Sequence, residues 1–191
     1  MNQSGAEGRR PAGARHHGLG GNAKHCFSDA EGGTLLSPNV KYATLPLPGN
    51  FSGTSYQVRV KLRHLALKEV CHVVLPVGDR MTGFELDGSS GKYTGLQLVN
   101  GKGVKEVPGV VEGKQVKDSE QHDLEVTVRL YEISAKITTT LDGEPLYEWA
   151  GPTATLSQNL GWATTPHGSL ALGTLAADWV VYEVQAKRLE K

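Results

Sequence analysis

Cysteine is nearly absent: the 191 residues hold two, Cys26 and Cys71. A disulfide framework needs more, so at most one bridge is open to the chain. The expected state is free thiols, with Cys71 a small buried apolar residue. Aromatics are also few, at 6%. No apolar run approaches the ~20 residues of a membrane-spanning helix. The N-terminus shows no apolar signal-peptide core, so the chain as written is expected in the cytoplasm. It is expected outside only if the true start lies upstream. An excess of either charge is missing too, with 20 Lys+Arg against 20 Asp+Glu. A neutral chain without a basic stripe excludes nucleic acid and anionic membrane surfaces as main partners. No long window carries helical periodicity, and no repeat of about 20–50 residues marks a propeller or solenoid.

Residues 1–33 differ from the rest. They are rich in Gly, Ala, Arg and His, and Leu19 and Phe27 are almost the only large apolar side chains. Such a segment buries too little surface to offset its ordering entropy, which predicts a flexible tail. Arg9, Arg10, Arg15 and Lys24 against Glu7, Asp29 and Glu31 leave too little charge for a nucleic-acid arm. His16, His17 and His25 lack a fourth ligand on a rigid scaffold, so they read as solvated histidines, and no metal is expected.

What the chain does hold, from Thr34 onward, is strand after strand. Val58, Val60 and Leu62 alternate with Gln57, Arg59, Lys61 and Arg63. Leu124, Val126, Val128 and Leu130 alternate with Asp123, Glu125, Thr127 and Arg129. Ile133, Ala135, Ile137 and Thr139 alternate with polar neighbours. Period two places one face in a core and the other in water. Val70 to Val77 is apolar nearly throughout, which suits a central strand covered on both faces. Further strands are expected at Gly95–Val99, at Leu170–Leu172 and at Trp179–Leu189, where Val180, Tyr182, Val184 and Ala186 form the apolar set. Asp142-Gly143 between two strands is a type I′ hairpin signal. Asn100-Gly101, Asp87-Gly88 and Gly78-Asp79 mark other turns. Many short strands with such punctuation predict an all-β antiparallel sandwich over 34–191.

The order of the segments resembles the concanavalin A-like (laminin G-like) jelly rolls. The likeness extends to the planctomycete-type domains related to family 16 glycoside hydrolases, which include the 3-keto-disaccharide hydrolase domains. Leu75-Pro76-Val77-Gly78-Asp79-Arg80, Gly95 to Lys102, His122 to Val126, Leu141-Asp142-Gly143 with Tyr147-Glu148-Trp149, and the closing Trp179 to Leu189 segment carry it. The resemblance implies two stacked antiparallel sheets, a concave face that handles sugar, and a module that stands beside other domains.

Chemistry is sparse. A retaining glycosidase needs two carboxyl groups about 5 Å apart. The family 16 enzymes place theirs on one strand as Glu-x-Asp-x-(x)-Glu, where equal parity aims all three into the cleft. Glu85-Leu86-Asp87 begins that motif, but Gly88-Ser89-Ser90-Gly91 follows without the last Glu. The pair therefore reads as a strand end entering an Asp-Gly turn, and no catalytic residue is expected. His122 reads as a strand opener. No nucleophile elbow, phosphate loop, zinc spacing or EF-hand is present, so no cofactor is expected. The aromatics Trp149, Trp162, Tyr93, Tyr147 and Trp179 are candidate sugar platforms, with Trp179 assigned mainly to the core. Trp162, in the Gly-flanked loop Asn159-Leu160-Gly161-Trp162, is the candidate for standing exposed. Asn100, Asp79 and Arg80 sit at turns, where they add polar contacts or simply form the turns. The resulting expectation is a non-catalytic glycan-binding or adhesion-like module. A hydrolase of the 3-keto-disaccharide type and a ligand-free interaction module are the alternatives. The sequence leaves the sugar and the oligomeric state open.

Overall fold

The computed structural model describes residues 26–28, 33–36, 42–66, 70–163 and 166–190. Most of the 1–33 segment expected to be flexible lies outside these residues. Within it, however, Cys26–Ser28 (β1) forms a strand antiparallel to Thr34–Leu36 (β2). The sheet therefore starts earlier in the chain than the composition shift at Thr34 suggests. Gly33, between them, is buried, and a Cβ there would stand 2.2 Å from Val180.

The remaining strands are β3 (Ala43–Pro46), β4 (Tyr56–Ala66), β5 (Cys71–Val77), β6 (Arg80–Asp87), β7 (Tyr93–Gln97), β8 (Val111–Glu112), β9 (Gln121–Leu130), β10 (Ser134–Leu141), β11 (Glu144–Pro152), β12 (Ala171–Thr174) and β13 (Asp178–Arg188). They form a seven-stranded sheet, β1-β2-β13-β4-β9-β10-β11, and a six-stranded sheet, β3-β12-β5-β6-β7-β8. Every pairing among these strands is antiparallel.

The alternating runs do what their period demands. Val58 pairs with Val126 and Val60 with Leu124, and all four side chains are fully buried with Leu62 and Val128. Ala135 and Ile137 extend this inner face along β10. Cys71, Val73, Leu75 and Val77 of β5, with Phe84, Leu86 and Leu96, meet it from the six-stranded sheet. Each fully buried Val, Leu or Phe contributes roughly 1.5–3 kcal/mol by transfer from water. The Cys71 thiol is free and buried in this core. Burial, and secondarily the charge of Asp87, pushes its pKa up to about 12, so it stays protonated and inert.

Two details depart from the strand pattern. Ile133 lies outside β10 and is 75% exposed. In β13 the register shifts between Val181 and Glu183, so the core takes Trp179 and Val181, with Val184 packed against it, in place of an unbroken Val180–Tyr182–Val184–Ala186 face. A β-bulge adds one residue and exchanges the faces beyond it.

The Asp142-Gly143 turn is as its sequence demands. Both residues have positive φ, 54° and 86°, and Leu141 pairs directly with Glu144. Asn100-Gly101 likewise has two positive φ values, 53° and 73°, with Val99 bridged to Lys102.

Candidate functional site

The outer face of the six-stranded sheet is where the carboxylate motif would have to act. Register places His72 of β5 opposite Glu85 of β6 on this face. Gln97 of β7 donates from Nε2 to Glu85 Oε1, and Glu85 is buried. Asp87 does not join it. Its backbone takes a left-handed conformation, φ 58° and ψ 36°, which ends the strand and breaks the alternation of faces. Its carboxylate instead accepts from Gln115 N at 2.8 Å and Val116 N at 3.0 Å, and Thr94 Oγ1 accepts from its own N–H at 3.0 Å. Asp87 thus holds the loop ahead of β9. Ser89 and Ser90, where a third acid would fall, carry left-handed dihedrals in a single turn, Gly88–Gly91.

Trp162 covers the same face. The loop that follows β11 returns across β5 and β12, and Trp162 is 1% exposed. Its indole stacks on the His72 imidazole, with centroids 4.1 Å apart and planes 8° apart. Tyr42 meets the indole edge-on at 4.9 Å. Val70, Val74, Met81 and Ala171 complete this second apolar cluster. Two glycines make the room. A Cβ on Gly173 would lie 2.5 Å from the Trp162 ring, and one on Gly83 would lie 2.1 Å from the His72 ring. His72 is fully buried, and burial holds its pKa down at about 3. Neither ring nitrogen has a hydrogen-bond partner among the described residues. The expectation that Trp162 stands exposed is therefore overturned: glycine near an indole here marks a backbone that lets the indole in.

The other sequence candidates separate by exposure. Trp149 is 8% exposed and belongs to the main core, as do Tyr147 and Trp179. As platforms, Trp149 and Trp162 are both corrected to core residues. Tyr93 opens β7 and is half-buried. Asp79, Arg80 and Asn100 are exposed at turns. His122 does more than open a strand. Its Nδ1 donates to Asp142 Oδ2 at 2.6 Å, and its Nε2 accepts from Lys117 N at 3.2 Å. Partial burial raises the Asp142 carboxyl, but the Asp123 N–H, His122 and Lys117 outweigh it and hold the pKa below the usual value.

At one end of the sandwich an open cleft of about 1020 Å³ lies among four turns. Asp79 enters from the β5–β6 turn, Tyr131 and Glu132 from the β9–β10 turn, Thr153 from the segment after β11, and Ser52 and Ser55 from the segment before β4. Arg129 and Glu190 close one side. Hydrogen bonds of backbone and serine hydroxyl groups tie these pieces together. Ser52 Oγ donates to Gly78 O at 2.8 Å, Thr153 N to Ile133 O at 3.1 Å, and Leu130 N to Ser55 Oγ at 2.9 Å. Asn100 N donates to Thr155 O at 2.8 Å, which places Asn100 at this same end. Tyr131 is 61% exposed, while its backbone N–H is anchored on Ser134 O at 2.9 Å. An exposed aromatic ring beside carboxylates, a guanidinium and hydroxyls can pack on the C–H face of a sugar and bond its hydroxyls. Of the sequence candidates only Asp79 lines this cleft, with Arg80 beside it. Tyr131 had a readable signal: it sits between two alternating runs, where a turn must fall.

No protein-family model matches the chain, and no curated protein matches its sequence. Solved structures do match in shape. An endo-1,3-β-glucanase from Streptomyces sioyaensis aligns with a TM-score of 0.55 and 12% identity, over 88% of this chain and 80% of its own. A legume lectin-like domain from Entamoeba histolytica aligns with a TM-score of 0.53 and 11% identity, over 86% and 87%. The lectin UEA-II, complexed with galactose, aligns with a TM-score of 0.53 and 11% identity, over 86% and 90%. The fold is that of the concanavalin A-like jelly rolls, a β-sandwich that this chain shares with lectins and with a glucanase. At such identity the likeness extends to the fold and no further.

Proposed function

We propose that this domain is a non-catalytic glycan-binding module whose site is the end cleft around Tyr131. The observation that carries the reading is an exposed, backbone-anchored tyrosine in an open cleft lined by Asp79, Arg129, Glu132 and Glu190. The lectin neighbours, one of them complexed with galactose, are consistent with it. Hydrolysis through the Glu85/Asp87 pair has less support, because backbone N–H groups occupy the Asp87 carboxylate and Glu85 lies buried against Gln97. The test is a glycan array followed by calorimetric titration of the best ligand. Tyr131→Ala removes a mostly exposed ring, so the unfolding free energy should stay within about 0.5 kcal/mol of the parent. Binding should weaken by about tenfold or more, as for loss of a main contact residue. Binding unchanged in Tyr131→Ala, or no glycan bound at all, would overturn the reading.

A further inference from the structure

Resting on that reading, we infer that the end cleft takes glycans bearing free amino groups and disfavours uronate or sulfated ones. The cleft is lined by three carboxylates, Asp79, Glu132 and Glu190, against one guanidinium, Arg129. Arg129 is already directed at protein, donating from Nη1 to the Glu190 carbonyl at 3.2 Å. Arg80 Nε stands 3.9 Å from Asp79, a loose contact between side chains that are 50% and 84% exposed. His167 is engaged by its Nε2 with the Asp79 carbonyl at 3.1 Å. The chain as a whole carries no formal net charge, so its overall charge favours neither sign of ligand and the discrimination rests on the cleft groups. An ammonium on a sugar ring packed against Tyr131 would meet carboxylates at the rim and the negative face of the phenol ring. Ring hydroxyls would still find Ser52, Ser55 and Thr153. A uronate or sulfate in the same pose would meet like charge. A basic peptide shares the charge but lacks the flat C–H face that packs on the tyrosine ring.

The experiment compares oligosaccharides of matched length: glucosamine oligomers, their fully N-acetylated counterparts, and oligogalacturonate. Titrations run at mildly acidic pH, where the amines carry protons. They are repeated at about 20 mM and about 500 mM salt, which bracket weak and strong screening. The expected order is glucosamine oligomers first, neutral oligomers next and oligogalacturonate last. Steps of about two- to fivefold suit exposed charges, and they should shrink at high salt. Glu132→Gln and Asp79→Asn should each lower the glucosamine-to-neutral ratio. An oligolysine peptide is the control for charge alone. If it binds as tightly as the glucosamine oligomers and ignores Tyr131→Ala, the inference is overturned. If all three sugars bind equally at low salt, the inference falls while the glycan-binding reading stands. If none of the three binds while an array glycan does, the amino-sugar inference again falls alone. If no glycan binds, both fall.

Discussion

In the run Asn159-Leu160-Gly161-Trp162, the side chain that stands in water is Leu160, 89% exposed, and the one that is buried is Trp162. Residue type alone would favour the reverse, since an indole carries a polar N–H and leucine does not. The reason lies across the sheet, where Gly173 and Gly83 leave a slot that a flat His72–Trp162 stack fills. Trp162→Ala should therefore cost about 3–5 kcal/mol, the range for emptying a buried aromatic site. Leu160→Ala should change stability by less than about 0.5 kcal/mol. Denaturant titration of both variants checks this, and equal stabilities would reject the packing assignment.

At the scale of elements, the β10–β11 hairpin joins turn chemistry to a buried histidine. Asp142 supplies the left-handed turn position, and its carboxylate accepts from His122 Nδ1 and from Asp123 N. Asp142→Ala strands the nearly buried His122 donor and puts alanine at positive φ, so a loss of about 2–4 kcal/mol is expected. Asp142→Asn keeps an acceptor and tolerates the turn, and should lose less than half as much. Thermal or urea unfolding of the pair separates the two effects. If the two variants lose equally, the carboxylate–imidazole bond itself carries the cost. The inner face of β9 makes a blunter prediction. Val126→Asp puts an uncompensated charge between β4 and β10, and no cooperative unfolding transition should survive. A soluble variant with a sharp transition would place Val126 at the surface.

For the whole molecule, acid stability follows from His72. Its pKa is about 3 in the fold, lowered by burial from an ordinary 6.5. The unfolded chain therefore takes up a proton at His72 before the folded one does. The contribution of neutral His72 is fully present above pH 6.5 and is lost as pH falls toward about 3. The slope within that window is about 1.4 kcal/mol per pH unit for one proton. His72→Phe keeps a flat ring against Trp162 and has no proton to take up. The difference between parent and variant unfolding free energies should track this slope between neutral pH and the acid end. Parallel pH curves would show that His72 is solvated in the fold. From the ordinary 3.8 downward Asp142 adds a loss of its own, because its lowered pKa means that the unfolded chain protonates this carboxyl before the folded one does.

The sandwich was readable because a strand has period two. Leu124, Val126 and Val128 could face only one way together, and an Asp-Gly pair could make only one kind of tight turn between β10 and β11. These are local properties, carried by backbone geometry and side-chain alternation. Three matters were decided by the tertiary structure. The parity of Glu85 and Asp87 failed because a left-handed residue ended the strand and the 115–116 amides claimed the carboxylate. The alternation of β13 switched faces at a bulge that its partner strand β4 accommodates. The division of the aromatics between core and solvent was set by what lies across from each one. Loops carry no period, so the burial of Trp162 does not follow from its neighbours in sequence, and the place of Tyr131 in a turn does not say which segments gather around it. Those outcomes depend on segments distant in the chain, the glycines beneath the stacked indole and imidazole and the four turns that meet around the phenol.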